Sequence, residues 1–149
     1  MRHTPAGAAF TELILELFRL NGCVLAEGDR LTAPEGLSSA RWQVMGAIDE
    51  GPQTVSGIAR RMGLTRQSVQ RTVNELARSG IVRMLENPDH KRAKLVDLAP
   101  AGRAALDAVT VRQGVWANVA ADGIAPARLA DAVDLLRELR QRLESSNNR

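Results

Sequence analysis

Apolar residues Phe10, Leu13, Leu17, Leu20 and Val24 recur at alternating steps of three and four, which keeps them on one stripe of a helix over residues 8–31. Pro34 and Gly36 resist continuation and predict a break. A second helix follows, capped by the hydroxyl of Ser38 or Ser39, with Trp42, Met45 and Ile48 on its buried face and Gly51 and Pro52 closing it. Thr54 opens a short third helix with Val55, Ile58, Ala59 and Met62 inward, and Gly63 can take the left-handed conformation that stops it. Only Leu64 separates that glycine from the next cap, Thr65. The fourth helix turns Val69, Val73, Leu76 and Ala77 inward and leaves Arg66, Gln67, Gln70, Arg71, Asn74 and Arg78 outside, until Gly80 ends it.

Beyond Gly80 the period shortens. Residues 81–86 and 93–98 form two β-prone runs joined by a charged turn, which predicts a hairpin. Pro100 suits the first turn of a fifth helix carrying Ala104, Leu106, Val109, Val111, Val115, Trp116 and Val119, striped less cleanly than the others. Pro126 opens a sixth, where Leu129, Ala132, Leu136, Leu139 and Leu143 again follow three-four spacing; residues 145–149 read as a polar, frayed tail. No internal repeat and no low-complexity tract interrupts this order. The predicted fold is mainly α with a small β-hairpin wing: a winged helix-turn-helix over residues 37–99, flanked by a helical region built from residues 8–34 and 100–146.

Composition narrows the function classes. The chain has 149 residues, 44% of them apolar, enough for a packed core, and its formal net charge of +3 says little by itself. The distribution of that charge says more. Residues 53–94 hold nine basic side chains against three acidic ones, leaving eleven of the twenty basic and fourteen of the seventeen acidic residues for the rest. A basic middle between mildly acidic ends is the footprint of a segment that meets phosphate. The chain lacks a run of about 18 apolar residues, and its first residues lack a signal peptide's apolar stretch, so a cytoplasmic location and no membrane partner are expected. One cysteine, two histidines and no tyrosine supply neither a metal set nor a nucleophile with its base; no enzyme, no cofactor and no metal are expected.

Two short helices joined by a glycine turn, the second polar and basic outside, match what reading a major groove requires. The first turns of the fourth helix would enter it, which nominates Thr65, Arg66, Gln67, Ser68, Gln70 and Arg71. Gln67, Gln70 and Arg71 suit base edges, since glutamine pairs with adenine and arginine with guanine; Thr65 and Ser68 suit phosphate, with Thr65 also owed to the helix cap. At the hairpin tip Lys91, Arg92 and Lys94 cluster, and Arg92 is placed to enter a narrow minor groove.

These segments resemble the MarR (multiple antibiotic resistance regulator) family: GLSSARWQVMGAI at residues 36–48, TVSGIARRMGLTRQSVQRTVNELARSGIV at 54–82, ENPDHKRAKLVDL at 86–98 and PAGR at 100–103. The resemblance implies a sequence-specific transcription regulator, with repression the expected sign. It further implies a homodimer with interlocked terminal helices on a pseudo-palindromic operator, release by a small molecule or by cysteine oxidation, and Arg92 as the wing arginine. Two positions depart from the family pattern. His90 stands where an aspartate usually precedes the wing arginine, with Asp89 adjacent as a substitute, and Ala99 replaces a threonine before the fifth helix.

Dimerisation also follows from the stripes alone. Phe10, Leu13, Leu17 and Leu20 with Leu129, Leu136, Leu139 and Leu143 exceed what a winged helix of about 70 residues needs for its own core. A ligand pocket touching Arg19, Trp42 or Met45 is a further candidate. Cys23, beside Val24 and Leu25, reads as a buried inert thiol, which weighs against an oxidation-responsive regulator. A winged-helix module that binds protein instead of DNA is the alternative, and the outward Gln67, Gln70, Arg71 and Arg92 speak against it.

Overall fold

A computed structural model describes residues 2–147. Helix α1 (Pro5–Thr32) begins three residues ahead of the expected start, because Thr4 caps it by accepting from the Gly7 N–H at 3.1 Å and Pro5 suits its first turn. A single 3-10 turn, Ala33–Glu35, and left-handed Gly36 (φ 68°) release the chain into α2 (Ser39–Ala47). Of the two candidate caps, Ser38 takes the role, accepting from the Arg41 N–H. Helices α3 (Val55–Met62) and α4 (Arg66–Arg78) follow, then β2 (Val82–Leu85), β3 (Leu95–Leu98), α5 (Pro100–Ala120) and α6 (Pro126–Asn147). The strands are shorter than the β-prone runs, since residues 86–94 are given to the turn.

The sheet has a third strand that the hydrophobic pattern does not predict. Gln53–Thr54 forms β1 and pairs antiparallel with β3, setting Gln53 opposite Val96 and Thr54 opposite Leu95, so that β3 lies in the middle of a β1-β3-β2 sheet. Two residues leave no period to read, and the pairing exists only because β3 comes back beside them. On its other edge β3 pairs with β2, Val82 opposite Leu98 and Met84 opposite Val96.

The described chain forms two compact units, divided between Gln113 and Gly114 inside α5. In the first, Met45 of α2, Ile48 just beyond its end, Ile58 of α3, Val69, Val73 and Leu76 of α4, Val96 of β3 and Leu106 of α5 make one core. The inward stripes of α2, α3 and α4 hold with one correction, Ala77, which is exposed one residue off the buried arc; on α5 Leu106 and Val109 are buried and Ala105 is covered, whereas Ala104, Val111, Val115 and Val119 of the expected stripe are exposed. The start of α5 does without a side-chain cap. The Ala99 N–H donates to the Ile81 carbonyl at 3.0 Å, and Gly102 passes so close to that carbonyl that any Cβ would collide with it.

The second unit holds the end of α5 and all of α6. Helix α6 runs to Asn147, so Ser145, Ser146 and Asn147 belong to it and not to a frayed tail; Asn148 and Arg149 lie outside the described residues. Ser145 and Ser146 bond back to the Gln141 and Arg142 carbonyls, which is how hydroxyls are accommodated in a final turn. No residue of α6 is buried, and Leu129, Leu136 and Leu143 are exposed along it. Among the described residues no helix is long and apolar enough to cross a membrane.

Candidate nucleic-acid interface

The approach of α3 to α4 is dictated locally. Thr54 caps α3 by accepting from the Gly57 N–H at 3.0 Å, and Gly63 ends it at φ 65°, a conformation that costs glycine nothing. Leu64 then donates to the Ala59 carbonyl at 2.9 Å and turns the chain, so Thr65 falls at the cap of α4, where its hydroxyl accepts from the Ser68 N–H at 3.1 Å. Val69, Val73 and Leu76 anchor the inner face of α4 in the core, so Arg66, Gln67, Gln70 and Arg71 face solvent. Ser68 also bonds locally, to the Thr65 carbonyl at 3.0 Å, so the capping turn occupies both hydroxyls. The Gln70 amide donates to Asn74 Oδ1 at 2.8 Å, which holds it along the outer face one turn from its own backbone.

The wing is built to present its tip. Arg83 pairs with Asp97 at 2.9 Å across β2 and β3, directly opposite in register. In the turn, Asn87 accepts from the Asp89 N–H at 3.0 Å and the Ala93 N–H donates to the His90 carbonyl at 3.2 Å. Asp89 makes no ion pair among the described residues; its backbone N–H is held by Asn87, and the strands leading to the turn are joined by the Arg83–Asp97 pair. Lys91, Arg92 and Lys94 are all exposed.

Folding brings two distant segments to one place. Arg66, Gln67 and Gln70 of α4 and Arg92 and Lys94 of the wing line a common cleft of about 620 Å³. Arg71, Ser68 and Lys91 lie outside its lining. Five contributors have no counterpart among the sequence candidates: Val55 and Ser56 at the start of α3, Thr54 that caps it, Met84 on β2 and Ala93 in the turn. The Thr54 cap is the available signal for the first two, because a capped helix start exposes backbone N–H groups and the positive end of a dipole. Met84 has no signal, since its exposure depends on the core ending one residue earlier in the alternation, at Val82. The guanidinium, ammonium and amide groups that line the cleft can meet a polyanion and base edges.

The candidate effector residues are not gathered. Met45 is wholly buried, Arg19 is exposed and pairs with Glu16, and Trp42 is half-buried beside Gly28. Arg19 and Gly28 stand nine positions apart on α1, about 14 Å along the helix. Cys23 is exposed, against the expectation of a buried thiol. The buried side of α1 is confined to its last turn, at Gly28, Leu31 and Thr32, so the middle of the helix leaves Phe18, Leu20, Cys23 and Val24 uncovered. Leu17 is exposed as well, while Phe10 and Leu13 are half-buried, as is Leu139 on α6.

A profile described as the MarR family matches residues 35–93, which include every residue lining the cleft except Lys94. An uncharacterized protein of Mycobacterium tuberculosis is 39% identical over 127 residues, covering 85% of this chain and 89% of that protein. Among solved structures, CouR from Rhodococcus jostii RHA1 bound to p-coumaroyl-CoA superposes with a TM-score of 0.78 at 25% identity, over 85% of this chain and 90% of that one. The M. tuberculosis transcriptional regulator MOSR in complex with DNA gives a TM-score of 0.70 at 27% identity, over 87% and 96%.

Proposed function

The chain belongs to the MarR family of winged-helix transcription regulators, and from that premise we propose that it binds a pseudo-palindromic operator in the cytoplasm as a homodimer and represses transcription there until a small molecule releases it. The observation that carries the DNA-reading part is the shared cleft: α4 and the wing, separated in sequence, put Arg66, Gln67, Gln70, Arg92 and Lys94 on one open face. Arg71, the residue after Gln70 on α4, extends the row of base readers, with Thr65, Ser68 and Lys91 on flanking phosphates. MOSR, solved on DNA, is a relative of the same fold.

Dimerisation rests on apolar surface that each unit leaves uncovered: Leu17, Leu20 and Val24 on α1, and Leu129, Leu136 and Leu143 on α6. Apolar side chains exposed in a row along a helix are costly in water and mark an interface. Release by a ligand draws on CouR, which was solved with p-coumaroyl-CoA. An effector of this chain acts through its different affinities for the DNA-competent and incompetent dimers.

The test is footprinting and fluorescence anisotropy on the DNA flanking the chain's own gene. A protected pseudo-palindrome with half-sites about 34 Å apart, bound with a steep salt dependence, supports the proposal. Equal affinity for that DNA and for a random duplex refutes sequence-specific binding, and raised promoter output on binding refutes repression. The exposure of Cys23 favours one second reading, regulation by thiol oxidation. Peroxide treatment that leaves the operator affinities of wild type and Cys23→Ser alike removes it.

A further inference from the structure

Where α1 meets α2 the contact is polar, buried and directional. Ser39 and Thr32 are the buried polar residues of the described chain. Thr32 satisfies its hydroxyl within α1, on the Gly28 carbonyl at 2.8 Å. Ser39, the first residue of α2, instead reaches across: its hydroxyl donates to the Leu25 carbonyl at 2.6 Å and its N–H donates to Asp29 Oδ1 at 2.8 Å. Asp29 thereby serves the N-terminus of a helix other than its own. Gly28 makes room, since a Cβ there would stand 2.2 Å from Ser39 Oγ. Apolar surfaces slide over one another at little cost, whereas a hydrogen bond weakens steeply off its axis, so these two bonds admit one register of α2 on α1.

That register is passed on. Met45 and Val44 of α2 share a core with Val69, Val73 and Leu76 of α4, and Arg41 of α2 reaches Glu75 of α4 at 3.3 Å. From the other side Arg112 of α5 bonds the Leu31 carbonyl at 2.8 Å and Glu35 at 2.9 Å, so the end of α1 is held by two elements. The reading helix is thus carried on α2, and α2 is keyed to α1 at Ser39.

We propose that the Ser39–Asp29–Leu25 joint is a positioning element that sets the angle between the reading helix α4 and α1, and so determines which half-site spacing the dimer accepts. The inference rests on the dimeric, operator-binding reading above. One inserted base pair moves a half-site by about 3.4 Å and rotates it by about 34°, a change that a stiff joint refuses and a loosened one follows.

The experiment uses the full chain and the duplex it selects from a random-sequence library, that duplex with one central base pair added or removed, and a single half-site. Wild type is expected to bind the selected spacing at least about tenfold more tightly than either altered duplex. Ser39→Ala, which removes the bond to Leu25, and Asp29→Ala, which removes the bond to the Ser39 N–H, are expected to reduce that ratio to about threefold or less while single half-site affinity stays within about twofold. Unchanged spacing ratios in both variants overturn the inference, even if their stability falls. Asp29 is exposed, so Asp29→Ala carries the test with the same two outcomes if Ser39→Ala does not fold. Wild type that binds without any spacing preference overturns the dimer reading itself, and the inference with it.

Discussion

Gly102→Ala puts one methyl group where the base of the wing meets α5. The new Cβ would lie 2.1 Å from the Ile81 carbonyl oxygen, 3.1 Å from its carbon and 3.2 Å from Ile81 Cγ2. A carbon and a carbonyl oxygen rest no closer than about 3.3 Å, so α5 and the start of β2 must part by roughly 1 Å. The obstacle is backbone, with no flexible side chain to swing aside. The same carbonyl accepts from the Ala99 N–H, so separation also strains that bond. Overpacking costs about 1–3 kcal/mol, a weakened half-buried hydrogen bond about 1 kcal/mol more, and alanine's better helix propensity returns about 1 kcal/mol, leaving a net loss of about 1–3 kcal/mol.

Gly46→Ala supplies the control. Gly46 is an exposed residue of α2, and the space its new methyl group would enter is open to 4 Å, so the same chemical change should stabilise by up to about 1 kcal/mol. Urea unfolding followed by circular dichroism, at matched protein concentration, reads both. A Gly102→Ala midpoint at or above wild type, or an equal fall for Gly46→Ala, refutes the steric account.

Three further outcomes bear on the interface. Arg71→Ala should cost about 1–3 kcal/mol on the selected operator and much less on random duplex; competition binding that shows equal losses removes its base-reading role. Arg92→Ala should weaken binding and lower the salt slope by about 1, and an unchanged slope in titrations at several salt concentrations removes its contact with the DNA backbone. Thr65→Ala, which deletes the cap on the Ser68 N–H, should lower unfolding stability by about 1 kcal/mol and weaken DNA binding modestly; unchanged DNA affinity would remove its phosphate contact and leave the cap as its role.

Much of the helix-turn-helix is legible in the sequence because its signals are local. Thr54, Gly63 and Thr65 act through their own backbones and neighbours a few residues away, and Val69, Val73 and Leu76 share a face by helical period alone. The cationic character of the segment is likewise a property of composition. The profile match over residues 35–93 falls on the part of the chain where those local signals are densest.

Where local signals are absent, folding settles the matter. The two residues of β1 become a strand only through β3, and Met84 is left open because the core stops short of it. Cys23 shows the same limit: apolar neighbours along a helix suggest burial, but burial depends on what packs against that face, and α1 is covered only at its end. Ser39 reads as a candidate cap for its own helix and instead keys α2 to α1, through partners ten and fourteen residues away. Residue order thus dictates the helices, their ends and the side chains of the reading face, since each follows from interactions within a turn or two. The cleft that joins α4 to the wing, and the joint that aims it, arise from contacts between elements, whose geometry no single stretch of the chain encodes.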